Sequence, residues 1–84
     1  MIPEYTKQAI DAYVQDHRPV GDFLTAVLSN DLALSFGRAD EENRRALFDI
    51  VSYCWNEIPG PCWGSPKKVR AWLEVGAMKQ AGYQ

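Results

Sequence analysis

Eighty-four residues are enough for one small domain and too few for two, because independent domains seldom fall below about 50 residues. With 46% hydrophobic residues, 24% charged residues and a formal net charge of -2, the composition is that of an ordinary globular protein. It excludes a disordered tail, a coiled coil, a collagen-like fibre and a basic nucleic-acid packer.

The apolar spacing is helical nearly throughout. From Pro3 to about Asp16, Tyr5, Ala9, Ala12 and Tyr13 form a stripe that Ile10 and Val14 widen, and Pro3 suits a first turn. The segment His17 to Gly21 ends this helix, because the residue before Pro19 is pushed away from the helical region. A second helix is predicted from about Val20 or Asp22 to Ser35, burying Phe23, Leu24, Val27, Leu28, Leu32 and Leu34, with Gly37 as its stop. The third opens with Asp40 as N-cap and Glu41 and Glu42 in the first turn, where negative charge suits the helix dipole. Its core stripe is Leu47, Ile50, Val51, Cys54 and Ile58.

Two prolines and two glycines make residues Pro59 to Gly64 a rigid loop that carries Trp63. Ser65 and Pro66 then read as N-cap and first residue of a fourth helix, which buries Val69, Trp72, Leu73 and Gly76, while residues 77–84 fray. No segment alternates as a strand. The predicted fold is all-α, a small four-helix array forming a single domain over residues 1–84.

Apolar runs of a few residues fall far short of the roughly 20 that span a bilayer. No charged start followed by an apolar run marks a signal peptide, so the expectation is a cytoplasmic protein with no membrane partner. Two cysteines, Cys54 and Cys62, are fewer than a disulfide-dependent secreted domain carries, which agrees with a reducing compartment; a bridge between them is sterically conceivable.

Charge is unevenly spread. Residues 1–37 sum to -3, residues 38–58 to -2 and residues 59–84 to +3. Lys67 and Lys68 stand in the first turn of the fourth helix, against the dipole preference. They suggest an anion or partner site in which Ser65, Lys67, Lys68 and Arg70 hold a phosphate or a partner's carboxylates; the alternative is a solvated lysine pair. Trp63 is either an exposed binding anchor or a lid folded back on the core. Trp72 is expected in the core, and Trp55 fits either place. Asp31 follows Val27 by four and Leu28 by three, which turns it inward. There it needs a structural ion pair, with Arg38, Arg44 or Arg45 as partner, or it serves as a functional carboxylate.

Catalytic signals are sparse. His17 is the one histidine, with no nucleophile near it in sequence, and the two cysteines do not make a zinc site. No phosphate-loop or dinucleotide fingerprint is present. Ala33, Gly37 and the following helix outline a helix-turn-helix, but Asn43 stands at an apolar position and the recognition helix would open with three acidic residues, which phosphates repel.

Arg18-Pro19-Val20-Gly21-Asp22-Phe23-Leu24, then Asn30-Asp31-Leu32 and Gly37-Arg38-Ala39-Asp40, resemble a family of short proteins encoded by bacteriophages and prophages. Asn43, Ile50, Val51, Tyr53, Asn56, Glu57, Pro59 and the string Cys62-Trp63-Gly64-Ser65-Pro66 continue the likeness, which covers about residues 18 to 74. The resemblance implies a setting rather than an activity, because small phage proteins often bind and inhibit host enzymes or antiviral systems. Where that family commonly has an acidic residue after the Ser-Pro pair, this chain has Lys67 and Lys68.

The leading expectation is therefore a noncatalytic phage-derived binding protein, not an enzyme and without cofactor or metal. It docks on a host protein, such as an antiviral (anti-CRISPR-like) target, through the Trp63 loop with Lys67, Lys68 and Arg70, or through the acidic first two helices. A homo-oligomer that sequesters a phosphate-bearing nucleotide signal at helix N-termini is the second expectation, and a DNA-binding regulator the third.

Overall fold

The structure, a computed structural model, describes residues 1–80. The first helix, α1 (Glu4–Asp16), begins after Pro3, whose carbonyl accepts from the Thr6 and Lys7 amides. Ile10 and Tyr13 are fully buried on its inner side, whereas Tyr5, read as part of the stripe, is exposed. The helix ends one residue before the Arg18-Pro19 step. His17 takes the left-handed conformation (φ 57°), and its amide returns to the Tyr13 carbonyl at 3.0 Å, satisfying an orphan acceptor of the last turn.

The predicted second helix is two helices. α2 (Asp22–Leu28) stops at Ser29-Asn30, and α3 (Leu32–Arg38) restarts beyond Asp31. Asn30 adopts φ 65°, a conformation that asparagine tolerates better than most residues. Asp31 is the N-cap of α3, with its carboxylate accepting from the Leu34 amide at 3.0 Å. Serine, asparagine and aspartate in succession favour caps and turns over helix interiors. This local chemistry outweighs the apolar periodicity that carried the prediction across the break. The restart turns α3, so that Leu32 and Leu34 are exposed and Ser35 points inward, donating its hydroxyl to the Asp31 carbonyl at 2.6 Å. Gly37 lies inside α3 and does not stop it; the chain leaves the helix at Ala39, which is extended.

Asp40 caps the next helix as predicted, accepting from the Asn43 amide at 2.8 Å. That helix is also interrupted: α4 (Glu41–Arg45) and α5 (Leu47–Glu57) meet at Ala46, a buried turn residue. Ile50 and Cys54 of α5 and Ile58 just beyond it are buried, but Val51 faces out. A 3-10 turn at Gly60–Cys62 leads to Gly64, whose φ of 117° suits glycine and whose amide donates to the Leu28 carbonyl at 2.7 Å. Ser65 then caps α6 (Pro66–Gln80) through its Oγ, which accepts from the Lys68 amide. Residues 77–80, expected to fray, continue α6; residues 81–84 lie outside the described residues.

Among the described residues the fold is all-α, with six α-helices where four were expected, and no strand. One core cluster joins Ile10 and Tyr13 to Phe23, Leu24, Val27, Leu28, Ile50, Cys54, Cys62 and Val69. Polar contacts hold α1 as well: Tyr13 donates its hydroxyl to the Cys62 carbonyl of the 3-10 turn at 2.7 Å, and across the α1–α6 seam the Trp72 indole donates to the Tyr13 carbonyl at 2.8 Å. The His17 ring stacks on Trp72 with centroids 4.1 Å apart. Gly76 makes this approach feasible, since a Cβ there would lie 2.5 Å from the His17 Cβ. No helix among the described residues is long and apolar enough to cross a membrane.

Candidate functional site

Helices α3 and α5 turn apolar side chains outward, and Leu32 of the one, Val51 of the other and Trp63 of the loop line a shared depression. On α5, Phe48, Val51 and Trp55 follow at i, i+3 and i+7, a second stripe beside the buried one. Phe48 is 83% exposed, Trp55 77% and Val51 37%. On α3, Leu32 and Phe36 stand one turn apart at 70% and 55% exposure. Three aromatic rings with more than half of their roughly 150–250 Å² uncovered, together with Leu32 and Val51, leave on the order of 600 Å² of apolar surface.

Two depressions cut this face and share Asn30, Val51 and Trp63. The larger, about 480 Å³ and open to solvent, is walled by Val51, Trp55, Ile58 and Trp63, floored by glycines of the loop and edged by Lys68. The smaller runs from Trp63 and Val51 to Leu32 and Ser35. Trp63 is neither fully exposed nor fully covered. One part of its ring packs against the core cluster, and the rest lines the groove. Trp55 is an outer wall, and Trp72 is half-buried in the α1–α6 seam.

The expected anion site is only partly assembled. Pro66 has no amide hydrogen, the Lys68 amide is taken by Ser65 Oγ and the Val69 amide by the Ser65 carbonyl, so the first turn of α6 offers a phosphate the Lys67 amide alone. Lys68 lies back over the loop, its ammonium 3.4 Å from the Gly60 carbonyl and facing the groove. Lys67 and Arg70 are exposed and make no ion pair among the described residues. The Asp31–Arg38 pair does not form: Asp31 is an exposed cap, and Arg38 reaches Asp22 at 2.8 Å, because the break at Asn30 turns Asp31 out of the helix. Arg44 and Arg45 both lie 3.5 Å from Glu41, and the Arg44 guanidinium also covers the Phe36 ring at 5.2 Å.

Titratable groups elsewhere serve the fold. Tyr53 donates to Asp11 at 2.6 Å, and this bond, with Lys7 at 2.9 Å, holds the Asp11 carboxyl below its usual range. Tyr5 donates to Asp40 at 2.6 Å, which raises the phenol to about 12 and lowers the carboxyl. Thr6 donates its hydroxyl to the Asn43 Oδ1 at 2.6 Å in the interior, so this buried asparagine has a partner. Cys54 and Cys62 are unbridged and buried, and burial pushes the Cys54 thiol up to about 12, so it stays protonated. His17 is fastened to the Trp72 carbonyl through Nδ1 at 2.9 Å. Among the described residues no group of three His, Cys, Asp or Glu side chains is arranged to hold a metal ion.

The fold and site define an all-α domain with an aromatic-walled groove on an apolar face. Compared with known proteins, the chain matches no family model, no curated sequence and no solved structure. Sequence reasoning named Trp63 and Lys68 but missed Phe36 and Phe48 and placed Leu32 inside. The legible signal was α5 itself, where Phe48, Val51 and Trp55 add a second apolar stripe to one already sufficient for the core.

Proposed function

We propose that this chain is a noncatalytic binding module that docks on another protein through the α3–α5 face. A partner's apolar side chain enters the groove between Trp55 and Trp63, and Lys68 at its edge meets a carboxylate beside that side chain. The observation that carries the reading is the groove itself: apolar walls, two tryptophans and one lysine, within an exposed apolar patch. Tryptophan is enriched among residues that dominate binding energy, and an edge charge selects the partner's sign and speeds encounter. A groove open on one side suits a side chain held by its own backbone better than a small molecule, which binds with most of its surface enclosed.

The resemblance to phage and prophage proteins gives the setting. The partner is a bacterial host protein, an antiviral defence complex among the candidates, and docking inhibits it in the host cytoplasm. Lys67 and Arg70, exposed one turn apart on α6, extend the basic edge toward an acidic target.

Affinity capture from bacterial lysate tests this. Wild-type chain should retain a discrete protein that Trp55→Ser loses by a factor of about 30, as expected for a central aromatic anchor. Lys67→Glu with Lys68→Glu should weaken capture and abolish its salt dependence. Capture of nothing, or capture that both variants leave unchanged, overturns the reading.

A further inference from the structure

The groove takes an apolar side chain with a carboxylate next to it, and this chain carries that pair on its own surface. Phe48, the most exposed aromatic residue among those described, is followed by Asp49, whose half-exposed carboxylate holds the chain's own amino group at 2.7 Å. Phe48 and the groove lie on one side of one helix. Seven residues separate Phe48 from Trp55, about 10 Å along α5.

We propose that, without a target, two copies of this chain pair across the face, with α5 antiparallel to its counterpart about a two-fold axis near Val51 and Ser52. Each copy's Phe48 then sits in the other's Trp55–Trp63 groove. The inference rests on the reading of this face as an interaction surface and names its occupant in the free protein.

Three observations support a second copy. A two-fold interface must be self-complementary, with the same patch on both sides. Here a protruding ring and a groove flank a common midpoint on α5, so one rotation satisfies both contacts at once. The midpoint carries Ser52, whose small side chain lets two helices approach closely. The pairing covers, from each copy, the large apolar side chains that α5 leaves exposed, Phe48, Val51 and Trp55. In addition, Asp49, next to Phe48 in sequence, is opposite in charge to Lys68, which lines the groove.

Sedimentation equilibrium on the full chain, from low micromolar to millimolar, should show an average mass that climbs from 9.5 kDa toward twice that value. Phe48→Asp and Trp55→Ser should each hold the mass at 9.5 kDa with an unchanged helical circular dichroism spectrum, because both side chains are largely outside the core. Ser52→Cys should form a disulfide-linked dimer under mild oxidation, and Gln8→Cys, on exposed α1 surface, should not. The native thiols are buried and do not compete. A monomer at every concentration, a dimer indifferent to both surface variants, or equal cross-linking at residues 52 and 8 overturns the pairing. A monomer that still captures a host protein through Trp55 overturns the pairing and leaves the docking reading standing. A dimer lost with Phe48→Asp, from a chain that captures nothing, upholds the pairing and removes the host target.

Discussion

The two sides of α5 are almost equally apolar and have opposite fates. Inward, Ile50 and Cys54 vanish into a core that also takes Ile10, Tyr13 and Cys62; outward, Phe48 and Trp55 are among the most exposed large side chains described. A helix that is apolar all round is ordinarily buried all round. Here the six short helices supply one core, and the remaining stripe is left to solvent. No buried side-chain nitrogen or oxygen among the described residues is left without a hydrogen-bond partner. The inner side therefore accounts for the fold, and the outer side is surplus to it.

The sharpest way to break this contrast is Ile50→Ala. Truncating a fully buried isoleucine at the centre of the cluster should cost about 2–5 kcal/mol, read from urea denaturation midpoints at constant slope. A loss below 1 kcal/mol would mean that the inner side is not the core.

Gly76→Ala probes the seam between α6 and the end of α1. The added methyl meets the His17 Cβ at 2.5 Å and its carbonyl oxygen at 2.9 Å, and one of these contacts is backbone. Overpacking of this kind should cost about 1–3 kcal/mol despite alanine's better helix propensity. The opposite sign, a stabilisation, would show that α6 lies farther from α1.

A smaller effect is expected from pH, carried by two tyrosine–carboxylate pairs at the surface, one exposed and one part-buried. The carboxyls of Asp11 and Asp40 are lowered by hydrogen bonds from Tyr53 and Tyr5. Their contribution is complete above the unfolded value near 3.8 and is lost as pH falls through the depressed folded values. Tyr5, raised from 10.0 to about 12 by the same bond to Asp40, acts oppositely: its contribution is present below 10 and disappears as pH rises toward 12. Solvent screens both pairs, so the denaturation midpoint should be flat between about pH 5 and 9 and fall gently on either side. Tyr53→Phe should flatten the acid limb in part.

The smallest change should come from Phe48→Ala, within about 0.5 kcal/mol of wild type in the same urea measurement. Set beside Ile50→Ala two residues away, it isolates burial as the variable. A loss comparable with Ile50→Ala would place Phe48 in the monomer core and remove the contrast.

Much of the architecture was legible where local chemistry and periodicity agreed. Asp40 and Ser65 are caps because a short acceptor side chain preceding a helical run has a donor waiting two or three residues on. Asp31 was legible too, but the apolar period through Val27, Leu28, Leu32 and Leu34 pointed to one helix and hid the cap. The break at Asn30 then reversed the predicted places of Leu32 and Asp31 together. The candidate site was half legible. Trp63 and Lys68 stood out as loop and charge anomalies, whereas Phe48 and Phe36 belonged to no predicted core stripe and were passed over, since periodicity shows that a stripe is apolar and does not show whether another element covers it.

The amino-acid order by itself determined that this chain is helical, where most of the helices start, and that one aromatic loop joins α5 to α6, because caps, prolines, glycines and the 3.6-residue period act over a few neighbouring residues. Only the tertiary structure decided which of the two apolar stripes of α5 is enclosed, that Thr6 and Asn43 satisfy each other in the interior, and that Trp55 and Trp63 form the walls of one groove. Those outcomes depend on which surfaces six short helices can bring together at once, and that competition for a single core is settled between residues far apart in the chain.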